Sequence, residues 1–210
     1  MSEVVLIRPG CTDFDDQNRV QGALDLPLNE RGREQIAQLL ESLRTTSLEV
    51  IFTSACEPAR STAELIGEEL GVPVKELEGF RNLNQGLWQG LQVDEIRRKY
   101  PKVYKQWQDS PETICPPEGE AIADALERIR KALQITLKRN IDCGIVASEP
   151  LATLIGCELK DCRPSFPNIA EDQSPLETIE SLQIGNGNAN GTGKGANSSP
   201  SKMLTQGGEA

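Results

Sequence analysis

The chain has 210 residues, 37% hydrophobic and 26% charged, which is enough for one domain with its own core. Its 22 basic and 32 acidic residues leave a net charge of −10. That argues against nucleic acid or an anionic membrane as partner, because both select a concentrated positive surface.

Glu3–Arg8 is a short apolar run stopped by Pro9-Gly10, the pattern of a buried central strand. Ile36, Leu39, Leu40 and Leu43 recur at helical spacing behind Asn29, a suitable N-cap. Leu48–Thr53 reads as a second strand. Ala59, Ala63, Ile66 and Leu70 then mark a helix closed by Gly71 and Pro73. Gln92 to about Trp107 reads as helix interrupted at Tyr100-Pro101. Ile122, Leu126, Ile129, Leu133 and Leu137 give one face of a long helix, Cys143–Ala147 a further buried strand, and Leu151–Leu159 the helix after it.

This alternation predicts an α/β fold, a three-layer sandwich with a mostly parallel central sheet. The body is placed at residues 1–181. Residues 182–210 are expected to be a disordered tail, since the Gly-, Asn- and Ser-rich run from Gly185 offers almost nothing apolar to offset its ordering entropy. The glycines there do not spell a phosphate loop: GNGNANG has the wrong spacing, and TGKGA lacks the Ser or Thr after its lysine.

No apolar run approaches the roughly 20 residues of a membrane span, and the first residues lack a leader pattern, so a cytoplasmic protein is expected. The six cysteines are scattered and contain no Cys-x-x-Cys pair, which favours thiols over a disulfide framework or a zinc site. No histidine occurs at any position, which excludes every mechanism built on imidazole.

In sheets of this kind the chemistry gathers where strands end. Here those ends are Arg8-Pro9-Gly10, Thr53-Ser54 and Ala147-Ser148-Glu149, with Asn82–Gly90 as a fourth candidate loop. At these places the chain resembles the histidine phosphatase superfamily in its phosphoglycerate-mutase-like branch. The shared words are Arg8-x-Gly10-x-Thr12; Arg19-x-Gln21-Gly22-x-x-Asp25-x-Pro27-Leu28-x-x-x-Gly32; IFTSACEPARSTA; NLNQGLWQGL with its Gly86-x-Trp88-x-Gly90; and PPEGEA. They fall in family order across residues 3–155.

The resemblance implies phosphoryl transfer through a histidine at the end of the first strand, assisted by a second histidine, two arginines and an acid. In this chain the nucleophile's slot holds Pro9, which has no nucleophilic atom, and the second histidine's slot holds Ser148. The second arginine's slot holds Pro58 and the acid's holds Asn82, so only Arg8 is retained. Arg60 lies two places past Pro58, about 200° around a helix, and is a poor substitute.

The residues that remain as candidate ligand contacts are Arg8, Asn82 and Ser148, with Thr12 as a further neutral donor. The competing reading, which we prefer, is that Arg8 pairs internally with Asp13, Asp15, Asp25 or Glu149. Other constellations receive bland readings. Cys157–Arg163 satisfies C-x5-R but has no glycine to wrap a phosphate. Cys11 is flanked by aspartates that disfavour a thiolate. Asp13, Asp15 and Asp16 suit a solvated face better than a metal, and the Trp and Tyr residues suit a core.

The expected function is a catalytically degenerate pseudophosphatase acting as a binding or regulatory module. The alternative is a phosphomonoester hydrolase or phosphoglycerate-mutase-like enzyme with a non-standard active site. No catalytic residue, cofactor or metal is assigned. The expected partner is a small phosphate- or carboxylate-bearing ligand or another protein, not nucleic acid or a membrane.

Overall fold

The computed structural model describes residues 2–110, 114–164 and 179–184. Its centre is a five-stranded sheet in the order β3-β2-β4-β1-β5. The strands are β1 (Ser2–Ile7), β2 (Val50–Thr53), β3 (Val74–Glu76), β4 (Cys143–Val146) and β5 (Ile179–Ile184). The first four run parallel, whereas β5 pairs antiparallel with β1.

The central strands are apolar at residues 4–7, 50–52 and 143–146 because both faces of the sheet are covered there. Val4 and Leu6 of β1, Val50 and Phe52 of β2, and Ile145 of β4 point into one core. Val5, Ile7, Ile51 and Val146 point into the other. The second core is closed by α2 (Glu30–Leu43) and α3 (Ala59–Leu70). The first is closed by α4 (Val93–Lys99), α5 (Pro101–Asp109), α6 (Ile122–Leu137) and α7 (Leu151–Lys160). The result is the three-layer α/β arrangement expected from the strand-helix alternation.

Local signals set the element ends. Asn29 caps α2 by accepting Gly32 N–H at 2.8 Å. Gly71 ends α3 in a left-handed conformation, and Pro101 starts α5 in the first helical turn.

Besides two short 3-10 turns, Glu78–Phe80 and Gly86–Trp88, three elements go unpredicted by the sequence. The one-turn helix α1 (Asp13–Asp16) hangs on a capping box between Thr12 and Asp15, whose acids had read only as a charged face. Strand β3 has three half-exposed or exposed residues, too few to show alternation. Strand β5 is an edge strand that carries regular structure three residues past the Ser181 boundary. The rest of the expected tail lies outside the described residues. Among the described residues no helix is long and apolar enough to cross a membrane.

Candidate functional site

Because β4 lies between β1 and β2, the parallel order brings the ends of these three strands side by side. Ala147 N–H reaches the carbonyl of Ile7 at 3.1 Å, and Thr53 Oγ1 donates to the carbonyl of Val146 at 3.3 Å. Arg8, Ser148 and Glu149 therefore share one edge of the sheet.

Arg8 is paired. Its Nε donates to Glu149 Oε1 at 2.6 Å, so Glu149 is the partner among the four acids proposed for it. The other carboxylate oxygen, Oε2, accepts from Thr153 N–H at 3.2 Å and from Thr153 Oγ1 at 2.7 Å. Glu149 thus caps the first turn of α7 while holding the end of β1.

Two of the neutral donors expected beside Arg8 are committed elsewhere. Asn82 is buried, and its Nδ2 donates to the carbonyls of Gly22 at 2.8 Å and Glu149 at 2.9 Å, while its Oδ1 accepts from Leu83 N–H at 2.9 Å. Thr12 donates its hydroxyl to Asp15 at 2.8 Å and accepts from Phe14 N–H at 3.2 Å. Ser148 is buried, and its carbonyl receives Ala152 N–H at 3.0 Å at the start of α7. The three predicted contacts are therefore brought together around Glu149, through its carboxylate for Arg8 and its carbonyl for Asn82.

The retained sequence words form the frame of this edge. Arg19 donates to the carbonyl of Gly90 at 2.6 Å, and Gln89 Oε1 accepts from Ala23 N–H at 2.8 Å. Gly22 sits at φ +59°, and a Cβ there would lie 2.3 Å from Gln89 Oε1, so the turn demands glycine. Gly86, at φ +51°, packs so closely on the PPEG segment that a Cβ would meet the Pro117 carbonyl at 2.1 Å. Glu120 receives two bonds from Arg128, at 2.6 and 2.8 Å, and Arg128 also reaches the carbonyls of Gly79 and Arg81. The Gln21-Gly22, Gly86-x-Trp88 and PPEGEA words thus hold the loops to one another.

The other substituted slot follows β2. Pro58 precedes α3, and Glu57 before it accepts from Arg60 at 2.8 Å and from Ser61 N–H at 3.2 Å. Arg60 is turned to this local acid, in keeping with its helical phase. Burial pushes the Glu57 carboxyl up, but the hydrogen bonds from Ser61 and Arg60, with the Arg60 charge, outweigh it and leave the group below its ordinary value.

Neither Glu57 nor Glu149 had been singled out as a hub. Their signal is a repeated Glu-Pro-x-x-Ser/Thr at the end of a buried strand, Glu57-Pro58…Ser61 and Glu149-Pro150…Thr153. In each, the carboxylate reaches the N–H of the residue four places on.

The remaining constellations take their bland readings. Trp88 and Trp107 meet edge to face at 6.1 Å in the core, beside the buried Tyr104, while Tyr100 is half exposed. Burial pushes the Cys11 thiol up; Asp15 and Asp16 add to this, against the Gln35 hydrogen bond and Arg31, so it is no activated nucleophile. A hollow of about 490 Å³ beside α1 is lined by Asp13, Asp16, Glu30 and Glu34 against the single cation Arg31, the wrong charge balance for a phosphate. Among the described residues no group of three or more Cys, Asp or Glu is placed to hold a metal ion. All six cysteines stand as thiols.

The family model described as histidine phosphatase superfamily (branch 1) matches residues 4–168. The chain belongs to this superfamily. It is 29% identical over 146 residues to phosphoserine phosphatase 1 of Hydrogenobacter thermophilus, covering 70% of this chain and 69% of that one. It is 28% identical over 152 residues to glucosyl-3-phosphoglycerate phosphatase of Mycolicibacterium vanbaalenii, covering 72% and 67%. Among solved structures, Bacillus stearothermophilus YhfR superposes with a TM-score of 0.76 at 25% identity, covering 89% of this chain and 93% of that one. The superfamily therefore includes relatives named as phosphatases of phosphorylated small molecules, and their scaffold is the one found here.

Proposed function

We propose that this superfamily member is a pseudophosphatase, a cytoplasmic binding or regulatory module that keeps the fold without phosphohistidine chemistry. The observation that carries the reading is the end of β1. A proline ring stands where the resemblance places the nucleophile, and the chain contains no histidine to replace it. The state of Arg8 supports the same reading. In a phosphate site this guanidinium has to present its donors to the ligand, whereas here one donor is held by Glu149 at 2.6 Å. A small phosphate- or carboxylate-bearing ligand would meet Arg8 and Ser148 by displacing that carboxylate. The Asn82 amide is spent on backbone carbonyls.

The alternative, a phosphomonoester hydrolase or mutase-like enzyme with a non-standard site, is favoured by the names of the relatives, which are phosphatases. The two readings separate in one assay. Purified full-length protein and its Arg8→Ala variant are given a panel of phosphomonoesters that includes phosphoserine and phosphoglycerates. The pseudophosphatase reading expects phosphate release at the level of the blank from both proteins. Turnover by the parent that disappears in Arg8→Ala would overturn it.

A further inference from the structure

We propose that Cys157 and Cys162 form a two-thiol oxidation site at the C-terminal end of α7, which closes as a disulfide when the protein meets a peroxide. The helix end itself places the pair. Asp161 takes up a left-handed conformation, φ 53° and ψ 47°, and Cys162 N–H turns back to the carbonyl of Cys157 at 3.0 Å. A helix end closed by this six-to-one bond frequently carries a side-chain contact between its two bonded positions, most often a hydrophobic one. Here both positions are cysteine.

The orientation of the first sulfur agrees. Cys157 Sγ lies 3.7 Å from the carbonyl oxygen of Arg163, the residue that follows Cys162, so it faces the returning chain. Cys162 is exposed and Cys157 half-buried, which gives a reagent access to the outer thiol and leaves the inner one to resolve. Between them in sequence stands Lys160, paired with Glu180 of β5.

The other cysteines are less suited. Burial pushes the Cys143 thiol up to about 12, and burial also raises Cys11 and Cys56. Cys115 is exposed, its sulfur 3.5 Å from the Pro116 carbonyl, and serves as an internal control. The C-x5-R spacing of this stretch therefore carries chemistry through its two cysteines rather than through a cysteine and an arginine.

The step balances. The Cys162 thiolate attacks the peroxide O–O bond, the sulfur is oxidised to a sulfenic acid and one peroxide oxygen leaves as water after protonation. The Cys157 sulfur then displaces the sulfenic oxygen, which leaves as a second water as the S–S bond forms. Two thiols and one peroxide give one disulfide and two waters. The bond would fasten the last turn of α7, where Lys160 meets Glu180 of β5.

The test uses the full-length protein, reduced, freed of reductant, treated with hydrogen peroxide, alkylated and digested with trypsin, which cuts after Lys160 between the two cysteines. The expected result is a linked pair of peptides whose fragmentation places the bond between Cys157 and Cys162 and leaves Cys143, in the same tryptic peptide as Cys157, alkylated, together with an intact mass lower by two hydrogen atoms and reversal by dithiothreitol. The link should be absent in Cys162→Ser, while Cys115 alkylates as in the parent. Oxygen added to Cys162 without the link, a bond to any other cysteine, a bond between two chains, or an unchanged mass would each overturn the proposal.

Discussion

The ends of β2 and β4 carry the same device with different arginines. At both, a glutamate precedes a cis proline, and its carboxylate accepts the N–H of the residue four places on, capping the helix that follows. At β2 the arginine is Arg60, one helical turn from Glu57 and 40% exposed, so the whole unit belongs to α3. At β4 it is Arg8, 141 positions from Glu149, at the end of β1 and 17% exposed. The first device serves one helix. The second joins the cap of α7 to the side chain that the resemblance places in the phosphate site. The difference teaches that Arg8, unlike Arg60, ties two distant elements together, through the acid that also starts α7.

Glu149→Ala is the sharpest test of that difference and carries the largest expected effect. It removes the Arg8 pair and both Thr153 bonds together. A helix cap contributes about 1 kcal/mol, and a half-wetted ion pair adds less than the roughly 3–5 kcal/mol of a fully buried one. We expect a loss of about 2 kcal/mol, read from the urea midpoint at constant slope. Glu149→Gln, which keeps an oxygen for Thr153, should recover part of that loss. If Glu149→Ala costs no more than the equivalent change at Glu57, the two turns are alike and the joining role of Glu149 fails.

The same pair shows what the sequence could reveal. The central strands and the helices around them were legible because buried parallel strands are continuous apolar runs and amphipathic helices repeat every three to four residues. Asn29, Gly71 and Pro101 punctuated them with residues whose preferences are local. The edge strand β5 was not legible, because it is held by pairing with β1 rather than by a pattern of its own. At the strand ends, the proline at position 9 and the absence of histidine could be read directly, since they are facts of the sequence. The partner of Arg8 could be narrowed to four acids and no further, because a contact across 141 positions is decided by the order of strands in the sheet. The commitment of Asn82 to the carbonyls of Gly22 and Glu149 was invisible for the same reason.

The β2 turn supplies the smaller effects and the pH test. The folded Glu57 carboxyl lies below its ordinary value of 4.5, so its contribution is present above the unfolded value and is lost as the pH falls through the folded one. Glu57→Gln, which keeps an oxygen for Ser61 N–H but loses the charge, should therefore cost less than the roughly 1 kcal/mol of a lost cap near neutrality. The gap from the parent should close as the pH is lowered through the folded Glu57 carboxyl, which lies below its ordinary value. Urea midpoints for both proteins across that range check the sign, and a gap that widens in acid would contradict it. Arg60→Ala should do least. The arginine is solvated, and Ser61 N–H continues to hold Glu57 without it, so the midpoint at neutral pH should stay within error of the parent. A large effect from Arg60→Ala would mean that the β2 turn, like the β4 turn, depends on its arginine, and that the contrast between the two ends of the sheet is one of distance along the chain alone.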